Sequence, residues 1–570
     1  MTTAALMGSL ALAETSCDVV IYGSSPAALT AAIEAQNHGK TAVIVCPETR
    51  IGGLTTGGLG QTDIGNKSAF GGLALRFYKD VADYYKDPAN WKYEKRSDYV
   101  PDGQCAGSLG EDSMWTFEPS AALKILEGWE KKHKLRIVRG EYLDRSAAGV
   151  RKEGGRIVSF RTLSGKVFSG KAFVDATYEG DLFAAAGVSY IVGREPNARY
   201  GETISGIEKR AAKNHQFNPG VDPYVVKGDP KSGLLPWVEP YNPDEKDGDG
   251  DSRVQAYCFR MCLTDVPSNR IPFAKPEGYD AKNYELLLRN LELIDPRTFV
   301  EKASTYWEYM PWINSRMPNR KTDTNNRTGF STDFVGQNWA WPEASYAERA
   351  KILKAHLDYQ MGLMWTLAND PRVPAPIRNE VAKWGTCKDE FADGLGQGWQ
   401  SQLYVREARR LVGDVVMTEH HCRGDEKVSR PIAMGAYGMD SHNVRRYVGA
   451  DGFVHNEGNI EDYNRYSPYG PKASLNPKGR RIGFKPYSID YGAIIPKKAE
   501  CTNLYVPVCL SASHMAFGSI RMEPVFFALG QVAGAAASLA IDADCAAQDL
   551  DYAKLRDVLL AEGQVIEGKE

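Results

Sequence analysis

Hydrophobic and polar positions divide the chain into segments of different texture. Residues 18–22 (DVVIY) are a short β-branched run that stops abruptly at GSSPAA, 23–28. An unbroken apolar run of that length suits a strand buried on both faces. Residues 27–38 are mostly Ala, Leu, Ile, Glu and Gln, which favour helix. Gly39 ends that helix, and 40–45 form a second buried strand. Strand, tight turn, helix and strand within about 30 residues is one βαβ unit. Further on, 156–162, a turn at 164–166 and 167–169 predict a hairpin, with a separate strand at 172–175. DATYEGD (175–181) closes that strand and opens a helix.

From about 205 to 480 the pattern loosens. Pro, Asn, Trp and Tyr become frequent, the acidic loop 244–251 reads as solvated, and helices such as 347–369 alternate with irregular stretches. Seven of the eleven tryptophans (307, 312, 339, 341, 365, 384 and 399) fall between 300 and 400, as core or as platforms for a ring-shaped ligand. The last fifth returns to order: a strand at 504–508, a small-residue turn at 511–521, and a helix opened by Glu523-Pro524 that runs to about 541. That helix is apolar almost all round, but it is short for a membrane span and carries Gln531 and two glycines, so it reads as a buried core helix.

The first turn and the glycine-rich stretch after it carry the clearest chemistry. A Gly-rich turn between strand and helix binds a dinucleotide pyrophosphate on the helix N-terminus. The G-x-G-x-x-G template wants glycine at 23, 25 and 28, where this chain has Gly23, Ser25 and Ala28. Small residues still allow the backbone to approach a ligand, although a plain parallel-sheet turn has the same pattern. The carboxylate for the ribose is expected at the end of the second strand, where Cys46 stands; Glu48, two residues on, is the substitute. IGGLTTGGLG (51–60) then places five glycines in ten residues, with Ile and Leu between them as a linker seldom has. Such density suits backbone laid against a flat or phosphorylated ligand.

Composition narrows the classes. The 570 residues exceed a single domain of about 150. Lys+Arg of 69 against Asp+Glu of 72 gives −3, which offers nucleic acid no basic surface. Ten cysteines without a CxxC pair are neither a disulfide scaffold nor a zinc site; most read as small buried hydrophobes. Cys258 and Cys262 have the spacing of one helix face. At the N-terminus, the apolar run 4–13 ends in Ala-Leu-Ala but lacks a basic start. A secreted or periplasmic protein with a signal segment and a cytoplasmic protein with a soft tail fit it equally.

Three blocks together resemble a known family: GSSPAA with IGGLTTGGLG, DATYEGDLFAAAGVSYIVGRE, and SASHMAFGSIRMEPVFFALGQVAGAAA. The chain is similar to bacterial FAD-dependent oxidoreductases of the FAD_oxidored type, some labelled xanthan lyase, in the glutathione-reductase/succinate-dehydrogenase flavoprotein superfamily. STDFVGQNW (331–339) and QLYVREARRLVGD (402–414) extend the likeness over nearly the whole chain. The resemblance implies an α/β fold, a discontinuous Rossmann-like FAD-binding domain with an inserted α+β substrate or cap lobe. The expected divisions are 1–16 (signal or tail), 17–204 and 481–570 (FAD-binding), and 205–480 (cap). It implies non-covalent FAD, with Gly23, Ser24, Ser25, Pro26 and Ala27 at the pyrophosphate and Glu48 at the ribose. Gly52, Gly53, Thr56, Gly57 and Gly58 would run beside the pyrophosphate, ribityl chain and flavin. Leu143 would lie near adenine, Ala176 and Thr177 over the AMP half, and Ser519, Ile520 and Arg521 before the last helix.

Oxidising an alcohol needs a base for the hydroxyl proton, and histidine is the usual agent. Of nine histidines, His514 in the 511–521 turn and His442 in the polar loop MDSHN are the candidates, since the resemblance places both near the cavity. His514 is the first choice, because its turn feeds the last helix, which by resemblance points at the flavin, and His442 is the second. Arg406 and Arg410 read as one helical face with Glu407 to pair, either a solvated ion-pair ladder or an Arg406 anchor for substrate. The leading expectation is hydride transfer from a small polar substrate, such as a carbohydrate or polyol, to flavin, with the electron acceptor open. A flavin reductase or monooxygenase, and a non-redox polysaccharide lyase or carbohydrate-binding protein, are the alternatives. No second Gly-rich βαβ turn supports the first of these.

Overall fold

The computed structural model describes residues 14–105, 112–294, 312–472, 474 and 483–568. The apolar run 4–13, Trp307 and the 480/481 boundary lie outside them.

A seven-stranded sheet forms the first layer. Its order is β3 (Arg136–Arg139), β2 (Ala42–Cys46), β1 (Glu14–Tyr22), β6 (Val167–Asp175), β5 (Arg156–Arg161) and β4 (Val150–Glu153), with Leu504–Tyr505 beside the end of β6. Strands β3, β2, β1, β6 and 504–505 are parallel, whereas β4 and β5 are an antiparallel edge. Tyr22 lines up with Val45 on one side and Asp175 on the other, so three strands end together at one edge. In a parallel sheet that edge is where ligands bind. Val19 to Tyr22 and Val43 to Val45 are each at most 1% exposed, as the continuous apolar runs require.

Two details differ from expectation. Strand β1 begins at Glu14, inside the segment expected to be tail, because residues 14–16 pair with 167–169. Strand β6 runs unbroken through Gly170, since Cys17 pairs with that glycine across the sheet.

Helix α1 (Pro26–Asn37) covers β1 and is crossed by the long helix Glu523–Asp542. The crossing is close: a Cβ at Gly530 would lie 2.4 Å from Ala27 O, and one at Gly534 2.5 Å from Ala31 O. Thr30 Oγ1 donates to Phe527 O at 2.9 Å across it. Among the described residues this is the one helix long and apolar enough to cross a membrane, and 89% of its most apolar window is buried in the protein.

The second layer is built around an antiparallel five-stranded sheet, in the order Trp312–Met317, Lys321–Asn326, Met261–Thr264, Gly385–Cys387 and Arg270–Ile271. Helix Tyr346–Asn369 starts at a capping box formed by Ser345 and Glu348. The six described tryptophans of the 300–400 cluster are buried or half-buried.

Four local expectations are corrected here. Residues 402–409 are not helical; all of 403–410 is buried, and an irregular segment leads into the strand Arg410–Leu411. Residues 511–521 are not a simple turn, since they contain the helix His514–Ile520, capped by Ser513 Oγ on Ala516 N. Cys258 and Cys262 share no helix face, for Cys262 is in the strand Met261–Thr264. The acidic loop is only partly solvated, because Asp251 and Glu245 are counter-ions for the buried Arg194 and Arg445.

Candidate cofactor and active site

The cofactor side is assembled from backbone. Gly23 has φ +123, and a Cβ there would stand 2.5 Å from Ala176 O, so only glycine lets the chain leave β1 at this point. Ser25 is the N-cap of α1, yet its hydroxyl donates to Ala176 O at 2.6 Å and does not cap the helix. Pro26 takes the first turn and Ala27 is fully buried, which leaves an uncapped helix start beside a small-residue turn. Glu48 is half-buried, and its Oε2 is buried without a hydrogen-bond partner. Burial pushes this carboxyl pKa up. Gly52 N–H donates to Ser24 O at 2.7 Å and so ties the glycine-rich segment to the turn.

That segment continues as the short helix α2 (Gly53–Thr56), followed by Gly57 and Gly58, all buried. The Tyr178 hydroxyl accepts from Leu54 N at 3.0 Å and donates to Glu523 Oε1 at 2.8 Å. Thr55 Oγ1 donates to Glu523 Oε2 at 2.6 Å. Glu523, the first residue of the long helix, thus anchors the segment, and burial raises its carboxyl to about 7. Leu143 is buried with its N–H on Tyr22 Oη (2.9 Å), Ala176 N–H donates to Tyr22 O (2.7 Å), and Thr177 Oγ1 donates to Asp175 Oδ1 (2.6 Å). The turn, 46–48, 143 and 175–177 therefore meet at the carboxyl edge of the sheet. An uncapped helix start, a glycine that must approach Ala176 and a carboxylate with a buried free acceptor fit the pyrophosphate and ribose of FAD.

Beyond the glycine-rich segment lies a buried cluster of charges. Leu54, Tyr178, Tyr404, Val405, Arg406, Val508, Phe517, Arg521 and Phe526 line one small internal cavity. Arg406 Nη2 pairs with Asp333 Oδ1 at 3.1 Å, and His442 Nδ1 meets Asp333 Oδ2 at 2.7 Å. Arg521 Nη2 reaches Asp440 Oδ2 at 3.1 Å and its Nη1 donates to Tyr404 Oη at 2.9 Å. Arg260 holds Asp323 through two bonds of 2.7 Å. The three guanidiniums surround one ring: Arg406, Arg260 and Arg521 lie 4.3, 5.7 and 5.8 Å from the Tyr404 centroid. Burial alone would raise Asp333, but Arg406 and His442 outweigh it and hold this carboxyl below its ordinary value.

The two candidate histidines are neighbours with different surroundings. His514 is 1% exposed, its Nδ1 on Glu407 Oε2 at 2.8 Å and its Nε2 on Ser441 Oγ at 3.1 Å. His442 has Nδ1 on Asp333, whereas its Nε2 stands 3.6 Å from Asp440 Oδ2, longer than a hydrogen bond. Gln255 bridges the pair, accepting from His442 N at 3.1 Å and donating to Glu407 at 2.9 Å. Ser519 Oγ donates to Tyr437 O at 2.7 Å, and Ile520 is fully buried beside Arg521.

Sequence reasoning missed Asp333, Asp440, Tyr404, Arg260, Asp323, Gln255 and the anchoring role of Glu523. Asp333 and Tyr404 fall inside blocks that carry the resemblance, which is the available signal; nothing local marks Arg260 or Asp323. A separate cavity of about 450 Å³ in the second layer, lined by Trp237, Tyr279, Phe334 and Tyr359 among others, contains none of the expected site residues.

The turn, the glycine-rich segment and the carboxyl edge of the sheet fit a dinucleotide cofactor. The family described as FAD dependent oxidoreductase matches residues 18–559, and the chain belongs to it. It is an FAD-dependent enzyme. No curated protein matches the chain. Among solved structures it is similar to a flavin-containing monooxygenase from Stenotrophomonas maltophilia (17% identity, 32% of this chain and 43% of that one, TM-score 0.19). It is also similar to OxyS anhydrotetracycline hydroxylase from Streptomyces rimosus (14%, 32% and 36%, TM-score 0.22). A third is 3-ketosteroid-delta4-(5alpha)-dehydrogenase from Rhodococcus jostii RHA1 (15%, 31% and 50%, TM-score 0.18). These matches span half or less of each relative's length.

Proposed function

We propose that the enzyme oxidises a CH–OH group of a small neutral polar substrate, a carbohydrate or polyol. Residues 17–204 and 481–570 hold FAD in this reading, and 205–480 supply the substrate side. The observation that carries it is the charge-matched cluster. Arg260, Arg406 and Arg521 each already face a carboxylate, so the site has little excess charge for an anionic substrate. Arg406 Nε, Arg521 Nε and both amide atoms of Asn443 are buried without partners, a supply of donors and acceptors suited to hydroxyl groups. FAD, when bound along the turn and the glycine-rich segment, supplies the hydride acceptor.

His442 is the proton acceptor in this reading. Asp333 accepts from Nδ1–H, which leaves the lone pair on Nε2 for a substrate hydroxyl. The alcohol loses hydride from carbon and a proton from oxygen, and His442 takes the proton. Asp333 orients the ring and offsets the charge that forms on it, while Arg406 holds Asp333 ionised. His514 would first have to give up Ser441 or Glu407, so its place is to fix the Ser441–His442 loop.

Anaerobic mixing with a panel of sugars, polyols and hydroxy acids, followed at the flavin absorbance, tests the reading. Bleaching by at least one neutral polyhydroxy compound, with hydroxy acids inert, is the expected result. Bleaching by hydroxy acids alone rejects the charge argument.

A further inference from the structure

Cys262 and Cys387 come from segments 125 residues apart in sequence, yet their sulfurs lie 3.8 Å apart. The pairing that brings them together is fixed by the five-stranded sheet. Thr264 faces Gly385 and Leu263 faces Thr386, so the next antiparallel step sets Cys262 opposite Cys387. Residues directly opposite in such a pair have Cα atoms about 4.5 or 5.5 Å apart. Both spacings fall within the roughly 4.4–6.8 Å that a disulfide spans. The two side chains are fully buried and share a small cluster with Met317 and Phe391. Their other contact is Cys387 Sγ on Cys262 O at 3.5 Å. By contrast, the thiols of Cys46, Cys105 and Cys509 donate to backbone carbonyls of non-cysteine residues. Among the described residues no His, Asp or Glu joins the pair as a metal-ligand group.

We propose that Cys262 and Cys387 are a disulfide-forming pair, a cross-strand staple of the second layer. The oxidant class is a small disulfide such as oxidised glutathione. The thiolate of one cysteine attacks a sulfur of that disulfide and expels one glutathione thiolate, giving a mixed disulfide. The second cysteine thiolate then attacks the protein-bound sulfur and expels the other. Two protein thiols are oxidised and one small disulfide is reduced to two thiols, the two expelled glutathione thiolates taking up the two protons that the protein thiols lose. Because both sulfurs are buried, exchange takes place during folding or while Gly385–Cys387 is parted from Met261–Thr264. Once the strands close, the same burial shields the bond from reductants. The staple encloses the strands 312–317 and 321–326 and helix 346–369, and lies two residues from Arg260.

The test counts thiols. The purified holoenzyme, and the same protein unfolded and refolded with FAD, are equilibrated in oxidised and in reduced glutathione. Each sample is acid-quenched, denatured and alkylated with N-ethylmaleimide, and then weighed intact and mapped as peptides. Of the ten cysteines, eight should be labelled after oxidising refolding and all ten after reduction, with the peptides of Cys262 and Cys387 joined in the oxidised sample. Cys262→Ala and Cys387→Ala should each keep nine labelled thiols under both conditions. Ten labelled thiols after oxidising refolding overturn the proposal. So does an internal disulfide that persists in either variant.

Discussion

The carboxyl edge of the parallel sheet and the buried cluster around Tyr404 solve the same problem by opposite means. At the sheet edge the groups offered to a ligand belong to the backbone, and the side chains there are chosen for smallness: Gly23, Ser25, Ala27, Ala176. Donors at a helix start come with the helix and need no partner elsewhere in the chain. Around Tyr404 the polar groups are side chains, brought from residues 260, 323, 333, 406, 440, 442, 514 and 521. Each charge buried there needs a counter-charge, or its desolvation would be ruinous. One region is specified by steric permission over a few consecutive residues, and the other by pairings across the whole sequence.

The largest effect should come from withdrawing that permission. Gly23→Val introduces a side chain where even a Cβ lies 2.5 Å from Ala176 O, at a φ of +123 that valine avoids. The variant should purify without flavin absorbance and fail to take up FAD on reconstitution. Ser25→Trp should do the same through the pyrophosphate position, while Ser25→Gly should keep FAD. Retained flavin in Gly23→Val would mean that the sheet edge is not the cofactor site.

This contrast also explains how much is legible in the sequence. The βαβ unit, the turn, the glycine-rich segment and the helix beginning at Glu523 are local patterns, and each lies within a few residues of its expected place. The irregular course of 402–409 is hidden because Tyr404-Val405-Arg406-Glu407 has helical spacing of charges; burial on every side overrides that pattern. Spacing alone puts Arg406 and Arg410 on one face with Glu407 to pair; Glu407 does pair with Arg410, but Arg406 binds Asp333 and Arg410 also binds Glu195. Only the tertiary fold decides such partners. His442 and His514 stand out by resemblance, and nothing in their sequence neighbours shows that Ser441 and Gln255 join them.

The next prediction separates the two histidines. Removing a general base typically costs about 10² to 10⁴ in rate. His442→Ala should keep FAD and the fold but slow substrate-driven flavin reduction by that order, with partial recovery at high pH as the hydroxyl ionises. His514→Ala leaves Glu407 and Ser441 with lost partners, so it should lower the melting temperature more than the rate. A His514→Ala rate loss larger than that of His442→Ala would reverse the two roles.

Stability should distinguish the regions as well. Asp323→Ala leaves Arg260 buried without its bidentate partner, and breaking a buried pair from one side costs about 3–5 kcal/mol. Ile21→Val, at the fully buried centre of β1, should cost only about 0.5–1.5 kcal/mol. Denaturant unfolding of both variants checks the ranking. Equal losses would show that the cluster relaxes around its missing charge.

The smallest effect concerns pH, and here the two regions should respond with opposite sign. Among the buried carboxylates near Tyr404, Glu407 would be raised by burial, but His514 and Arg410 outweigh it and hold it down at about 2. Its contribution to stability is present above the ordinary value of 4.5 and is lost as pH falls toward 2. Glu34 lies on α1, the helix that starts at the sheet edge, in its last turn, where it packs against Gln531 and Gly534. Burial and the neighbouring Glu562 push it up to about 8, against hydrogen bonds from Asn37 and Gln531, with His38 as its ion-pair neighbour. The folded protein then holds a proton on Glu34 that the unfolded chain has released, so stability falls as pH rises from about 4.5 to about 8 and levels off above. Relaxation and the partial exposure of His38 and Glu562 trim the effect to on the order of 1–2 kcal/mol. Glu34→Gln mimics the protonated form, so its melting temperature should change less than that of wild type between pH 5 and 8. A variant whose curve runs parallel to wild type would place the proton elsewhere in the α1 contact with Glu562 and remove the opposition of sign between the two regions.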